Sequence, residues 1–292
     1  MYELVQVTNN TYYIQSPAKI GLYRLSDTDV CLIDSGSDKE AGRKIRQILE
    51  QNDWTLKAIY TTHSNADHIG GNKYLQDHTG CQIFAPGIEQ AFSSYTILEP
   101  SFLYGGYPMK DLRHKFLLAQ ESEAELLSKI SLPEGFEMIP LPGHFFDMVG
   151  YRTPDNVVFL ADCLSSRKTL DKYGLPFIYD VKSYIETLAK VSSMEARLFV
   201  PSHAEACESI AELAQYNIMK TQEASELIVS ICNEAISFEN ILQKLFYHYN
   251  LTMDMVQYAL VGSTVRSYLS YLKDCGRLST EFSDNLLLWK RI

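Results

Sequence analysis

Between a strand-like run that ends at Tyr60 and a short helix-like run over residues 71 to 79, the chain reads Thr62-His63-Ser64-Asn65-Ala66-Asp67-His68-Ile69-Gly70-Gly71. Two imidazoles and a carboxylate on one loop tip can turn toward a single point, and they are donors that zinc and iron accept. The paired glycines let the backbone turn tightly beside them. Taken alone, the segment also reads as a polar loop that caps a helix. The other histidines and acids narrow the choice. His144 and His203 both follow strand-like runs, in Leu141-Pro142-Gly143-His144 and Val200-Pro201-Ser202-His203, and Asp162 ends Phe159-Leu160-Ala161-Asp162. In layered α/β folds, sites assemble at strand ends and in the loops that follow them.

The surrounding pattern supports that layering. Thr11 to Ile14 and Ile20 to Leu25 are rich in branched and aromatic residues, as strands are. Val30-Cys31-Leu32-Ile33 is apolar throughout, like a strand buried on both faces, and it runs into the turn residues Asp34-Ser35-Gly36. Residues 38 to 51 carry Ile45, Ile48 and Leu49 at helical spacing. Leu56 to Tyr60, Cys81 to Phe84, Phe136 to Leu141, Val149 to Arg152, Val157 to Ala161 and Leu198 to Val200 read as strands, and 181 to 192 as a helix. Beyond about residue 208 helices follow one another. The last of these is expected between an N-cap at Ser263 and a stop at Gly276, and a hairpin over 278 to 292.

The order Asp34, then His63-x-Asn65-x-Asp67-His68, then His144, Asp162 and His203 resembles the metallo-β-lactamase superfamily. The resemblance covers about residues 1 to 205 and joins five separate motifs in order. It implies an α/β fold of the four-layer αββα sandwich type, with the site at one edge of two packed sheets. It also implies roles for the residues. His63, position 65 and His144 would hold one metal ion. Asp67, His68 and His203 would hold a second, and Asp162 would bridge the two. Asp34 would orient the histidine loop from behind. Zinc, as one or two ions, is the expected cofactor, with iron or manganese as alternatives.

One position departs from that pattern: Asn65 stands where the family has histidine. An amide oxygen is a harder and weaker donor for zinc than an imidazole nitrogen. Two unequal metal sites are therefore expected, or a single ion when metal is scarce. Asn65 could instead reach a bridging water or the substrate.

The implied activity is that of a hydrolase using a metal-activated hydroxide on an ester, thioester, lactone, lactam or phosphoester, with Asp67 and Asp162 as the catalytic carboxylates. The resemblance implies a glyoxalase II-like hydrolase. Two other readings stay open: an iron-dependent oxidoreductase on the same ligands, of sulfur dioxygenase or flavodiiron type, and a metal-binding sensor without turnover. No GxSxG is present. His78, His114 and His248 read respectively as exposed, as part of a solvated basic face, and as helix packing. Cys163 reads as a small buried residue.

At 46% hydrophobic, 292 residues can bury a core without disulfide staples. Two domains are expected. Residues 1–208 form the catalytic domain, interrupted by an aromatic insertion over about 86–125, and 209–292 form a helical, winged-helix-like extension. Phe102, Tyr104 and Tyr107 in the insertion either wall the substrate pocket or form a packing or homodimer surface. A net charge of −10 disfavours nucleic acid and leaves a small-molecule substrate. The six cysteines are scattered with no CxxC, no run is apolar enough to span a membrane, and no signal peptide is evident. A cytoplasmic, reducing setting is the expectation.

Overall fold

The computed structural model describes residues 2–292. It divides into two compact units that interleave along the chain. The first comprises residues up to 142, 146–164 and 195–210, and the second 143–145, 165–194 and 211–292.

In the first unit, strands β1 (Glu3–Gln6), β2 (Thr11–Gln15), β3 (Ile20–Arg24) and β4 (Asp29–Ile33) form an antiparallel meander. Helix α1 (Lys39–Gln51) returns the chain to β5 (Thr55–Tyr60), which runs parallel to β4. The short α2 (Ala66–Ile69) and α3 (Asn72–Thr79) precede β6 (Gln82–Ala85). The predicted insertion contains α4 (Glu89–Ser94) and α5 (Leu98–Tyr104), and it ends by entering β7 (Ala124–Leu126). These seven strands make one sheet in the order β1 to β7. A second sheet, in the order β11-β10-β9-β8, is built from β8 (Glu137–Pro140), β9 (Val149–Arg152) and β10 (Val157–Ala161), closed by β11 (Leu198–Pro201) after the excursion of α6 (Arg167–Tyr173) and α7 (Val181–Ser192).

Side-chain alternation sorts the residues of each strand between two cores. On β4, Val30 and Leu32 join Ile45, Ile48 and Leu49 of α1 and Leu75 of α3. Cys31 and Ile33 point the other way and pack with Tyr60, Phe84, Val149, Tyr151, Phe159 and Val200, so this second core lies between the two sheets. β4 is thus buried on both faces, which is why its sequence is apolar throughout.

The second unit holds α6 and α7 together with α8 (Ala211–Ile231), β12 (Ile236–Ser237), α9 (Phe238–His248), α10 (Met255–Asp274), β13 (Leu278–Ser283) and β14 (Leu286–Arg291). Its three strands pair in the order β12-β14-β13. The hairpin turns on Asp284 and Asn285, both at positive φ, a turn whose twist matches the strands. Ser263 lies inside α10, whose N-cap is Asp254 accepting from the Gln257 N–H. A serine followed by helix formers resembles a cap, but Val261 and Gly262 before it are buried and continue the helix. His248 is exposed at the end of α9 rather than packed. The cysteines are all free thiols, and burial pushes the Cys163 thiol up.

Candidate metal centre

The histidine segment leaves β5 at Tyr60 and is bound from behind by Asp34, the first residue after β4. The Thr62 N–H donates to Asp34 Oδ1 at 2.7 Å and the Thr62 hydroxyl to Oδ2 at 2.7 Å. His68 Nδ1 meets the same Oδ2 at 2.8 Å. Because the Thr62 hydroxyl proton is spent on Asp34, its oxygen accepts from His63 Nδ1, 3.0 Å away. One buried carboxylate therefore fixes both histidines with Nδ1 protonated and Nε2 as the ligand atom. Asp34 does this from the left-handed region, at φ 63°.

His203 is held in the same way by other means. Its Nδ1 donates to the Pro17 carbonyl at 3.0 Å. The loop around it is tied to the β2–β3 turn by the Lys19 N–H, which donates to the Ser202 carbonyl at 3.0 Å, and by the buried Lys19 ammonium, which donates to the Ala204 carbonyl. Asp162 follows a register irregularity in β10 and a left-handed Ala161 (φ 50°), which re-aim the chain at the strand end. His144 lies in the second unit, where its Nδ1 donates to the Phe177 carbonyl at 3.0 Å.

The ligand atoms of Asp67, His68, Asp162 and His203 lie within 4.8 Å of one another. His68 Nε2 is 3.2 Å from Asp162 Oδ1, and His203 Nε2 is 3.3 Å from Asp162 Oδ2 and 3.1 Å from Asp67 Oδ2. His63 also reaches within 4.8 Å of Asp162, and its ring centroid is 4.1 Å from that of His68. Two imidazoles and two carboxylates converging with their outer nitrogens already bound fit a divalent cation.

The electrostatics of the cluster fit as well. The Asp162 carboxylate raises the pKa of His203 to about 10. Burial alone would lower His68, but Asp162, Asp67 and Asp34 outweigh it and hold that pKa well above the ordinary histidine value. Burial likewise opposes ionisation of Asp67 and Asp162, yet the two imidazoles keep both below the usual carboxylate range. Raised histidines in the metal-free protein stabilise the fold below ~6.5, and that contribution is lost as pH rises through their folded values. A cation must displace those protons. Calorimetry of zinc binding at pH 7, in buffers of different ionisation enthalpy, should show about two protons released per ion at this cluster, with affinity tightening as pH rises from 6 toward 9. Release of less than about half a proton would contradict this arrangement.

The glycine pair works differently from the expectation. Gly70 (φ −61°) and Gly71 (φ −85°) have ordinary helical backbones. A Cβ on Gly70 would lie 2.3 Å from the Ser37 carbonyl carbon, and one on Gly71 would lie 2.4 Å from the Ser35 oxygen. The missing side chains serve close approach to the β4–α1 turn, where the Ser35 N–H donates to the His68 carbonyl at 2.8 Å. The capping alternative also falls away. Asn65 occupies the N-cap of α2 but makes no side-chain cap bond.

The insertion contributes two buried carboxylates that sequence reasoning missed. Glu89 accepts from the Ser64 N–H at 3.0 Å, the Ser64 hydroxyl at 2.5 Å and the Asp147 N–H at 2.9 Å. Burial raises its pKa to about 7. Glu99 accepts from Asn65 Nδ2 at 2.8 Å and the Ala66 N–H at 3.1 Å. The signal was a glutamate inside each of two apolar stretches, Gly87-Ile88-Glu89 and Ile97-Leu98-Glu99-Pro100, where a charge needs partners. Of the predicted pocket aromatics, Phe102 packs edge-on against Phe146 at 5.1 Å. Tyr104 is at the surface, and Tyr107 is exposed with the Arg113 guanidinium 5.4 Å over its ring.

Comparison with known proteins follows the same lines. The family model for the metallo-β-lactamase superfamily matches residues 13–203. A hydroxyacylglutathione hydrolase of Bradyrhizobium sp. (strain ORS 278) is 33% identical over 128 residues, 44% of this chain and 41% of that protein. The hydroxyacylglutathione hydrolase GloC of Haemophilus influenzae is 26% identical over 139 residues, 47% of this chain and 62% of the relative. The chain thus spans about half the length of the curated relatives it matches. Among solved structures, a beta-lactamase domain protein from Burkholderia ambifaria superposes with a TM-score of 0.74 at 15% identity, covering 99% of this chain and 94% of that one. A metallo-beta-lactamase family protein from Thermus thermophilus gives 0.71 at 13% identity, covering 100% and 98%. These likenesses show the αββα fold.

Proposed function

The chain belongs to the metallo-β-lactamase superfamily, and on that premise we propose that it is a metal-dependent hydrolase of a small-molecule thioester. The observation that carries the reading is the convergence of Asp67, His68, Asp162 and His203, each histidine held from behind through Nδ1. The thioester comes from the relatives, whose name denotes a hydroxyacyl thioester of glutathione.

Imidazole with carboxylate suits zinc, and the first ion would be held by Asp67, His68 and His203, with Asp162 shared. A second would be held by His63, with Asn65 as the ligand the family pattern assigns beside it. A bound divalent cation supplies positive charge and brings the pKa of water from ~16 toward ~7. The residues do the rest. Asp67, partly exposed, would orient an attacking water and take its proton. Asp162, mostly buried between two imidazoles, holds them at a fixed spacing. Asp34 keeps His63 and His68 in the ligating tautomer. In this reading Phe102 would wall the substrate pocket, and α8 to β14 would be a winged-helix-like extension that does not bind nucleic acid. Among the described residues no helix is long and apolar enough to cross a membrane.

The test is a substrate screen with the zinc-loaded protein: a hydroxyacyl thioester of glutathione against a lactone, a β-lactam and a phosphodiester. The thioester should be preferred in kcat/KM. A chelator should remove at least about a thousandfold of that activity, or ~4 kcal/mol of transition-state stabilisation, and zinc should restore it. A preferred phosphodiester, or activity indifferent to chelation, would refute the reading.

A further inference from the structure

The cluster of Asp67, His68, Asp162 and His203 is assembled from two sheets. Asp67 and His68 follow β5 of the seven-stranded sheet, and Asp162 and His203 follow β10 and β11 of the four-stranded one. The core between the sheets is apolar, and apolar packing is non-directional. It does not by itself set where His203 stands beside Asp67, a spacing of 3.1 Å. His203 also lies on a stretch without regular structure, residues 202–206, closed at its base by the Phe199–Cys207 backbone pair.

Lys19 crosses between the sheets at this point. It stands directly before β3 and is 7% exposed, the buried lysine among the described residues. Its backbone N–H donates to the Ser202 carbonyl at 3.0 Å, and its side-chain nitrogen donates to the Ala204 carbonyl. The residues on both sides of His203 are therefore bound to one residue of the other sheet. The Pro17 carbonyl, in the same turn, accepts from His203 Nδ1 at 3.0 Å. An imidazole held by a carbonyl is held only as firmly as the backbone that carries each partner. Burial pushes the Lys19 ammonium down from its ordinary value. The bond to Ala204 does not depend on that charge, because a carbonyl only accepts and a charged or neutral amine donates.

We propose that Lys19 is a positioning residue for the metal centre: by tying the backbone on either side of His203 to the β2–β3 turn, it keeps the His203 imidazole in register with Asp67 and His68. The proposal rests on the metal-centre reading above.

Zinc titration of the full chain tests it. Lys19→Met keeps an unbranched apolar stem and removes the donor. It should weaken zinc binding at the cluster at least about tenfold, the lower end of the effect of losing a group that orients a ligand from outside. A merely structural Lys19 would lower Tm and leave the folded variant's zinc affinity within about twofold of wild type, which overturns the proposal. A second readout separates His203 from the rest of the centre. In zinc-loaded protein labelled with ¹⁵N-histidine, exchange of the His203 Nδ1 proton with water should quicken about tenfold in the variant, while that of His68, bound to Asp34, stays as in wild type. Acceleration of both protons alike, or of neither, overturns the proposal. One measurement needs no variant. Coupling is reciprocal, so if the clasp tightens zinc, zinc must tighten the clasp by the same factor. In wild type, zinc saturation should slow exchange of the Lys19 backbone amide at least about tenfold. An exchange rate that zinc leaves unchanged overturns the proposal. A chain that binds zinc equally well with and without the Lys19 amine loses this proposal and keeps the hydrolase reading, whereas a chain that takes no zinc defeats both.

Discussion

Asp162→Ala should abolish hydrolysis and most of the metal affinity together. Each oxygen of Asp162 faces a different imidazole, Oδ1 toward His68 at 3.2 Å and Oδ2 toward His203 at 3.3 Å. His63 also reaches this carboxylate. Alanine removes one ligand and one negative charge from a buried site, and it leaves two imidazoles without the carboxylate that raises their pKa values. In the metal-free protein those histidines should then deprotonate nearer neutrality, which limits the loss of stability below the ~3–5 kcal/mol expected for an uncompensated buried charge. Metal affinity has no such escape. A fall of at least about a hundredfold is expected, with kcat down a thousandfold or more. Zinc counted by mass spectrometry after gel filtration, alongside thioester turnover, measures both. A variant that keeps one ion at wild-type affinity and turns over within tenfold of wild type would remove Asp162 from the centre.

How much of this was legible in the sequence follows from the range of each interaction. The strands could be read because each satisfies a local rule: β4 is apolar on both faces because a core lies on either side of it. The candidate cluster could be read because the histidine loop carries three of its residues within six positions, and because Asp162 and His203 each follow a strand. Glu89 and Glu99 showed only as charges in apolar stretches, with nothing local to name their partners. Ser64, Asn65 and Ala66 lie 25 to 34 residues from them, across a stretch of short helices whose pattern is aromatic rather than periodic, and Asp147 lies 58 residues from Glu89. Lys19 escaped for the same reason, since its acceptor is the backbone of Ala204, 185 residues on. Ser263 was misread because a serine in a buried helix and a serine at a cap look alike locally. The single cut expected near 208 also takes no account of 165–194, which the compact units place with the C-terminal helices. The apolar face of α7 is covered by α8, a contact with no local signature.

Gly70→Ala should be among the most destabilising single substitutions in the first unit, for a reason that backbone conformation alone would miss. At φ −61°, ψ −26° the residue could be alanine without strain, and by entropy alone the change should stabilise by ~0.4–1 kcal/mol. The added Cβ, however, would lie 2.3 Å from the Ser37 carbonyl carbon and 2.5 Å from the Asp38 nitrogen. These are backbone atoms at the N-terminus of α1, where Asp38 caps the helix through the Ala41 N–H. They cannot rotate aside, so the metal loop and the β4–α1 turn must separate. Along that seam run the Ser35–His68 backbone bond and the Asp34–His68 bond. Overpacking at ~1–3 kcal/mol adds to the loss of one or both bonds at ~1 kcal/mol or more each, so a net loss of about 3 kcal/mol is expected. For a unit of this size that lowers Tm by about 6–12 °C. Zinc affinity should fall with it, because His68 loses the carboxylate that orients it. Gly80→Ala is the matched control: its φ of +70° is unfavourable for alanine, but nothing lies within 4 Å of the added carbon. It should cost only ~1 kcal/mol and leave zinc binding unchanged. If Gly70→Ala melts within about 2 °C of wild type and binds zinc equally well, the seam is not what holds the metal loop in place.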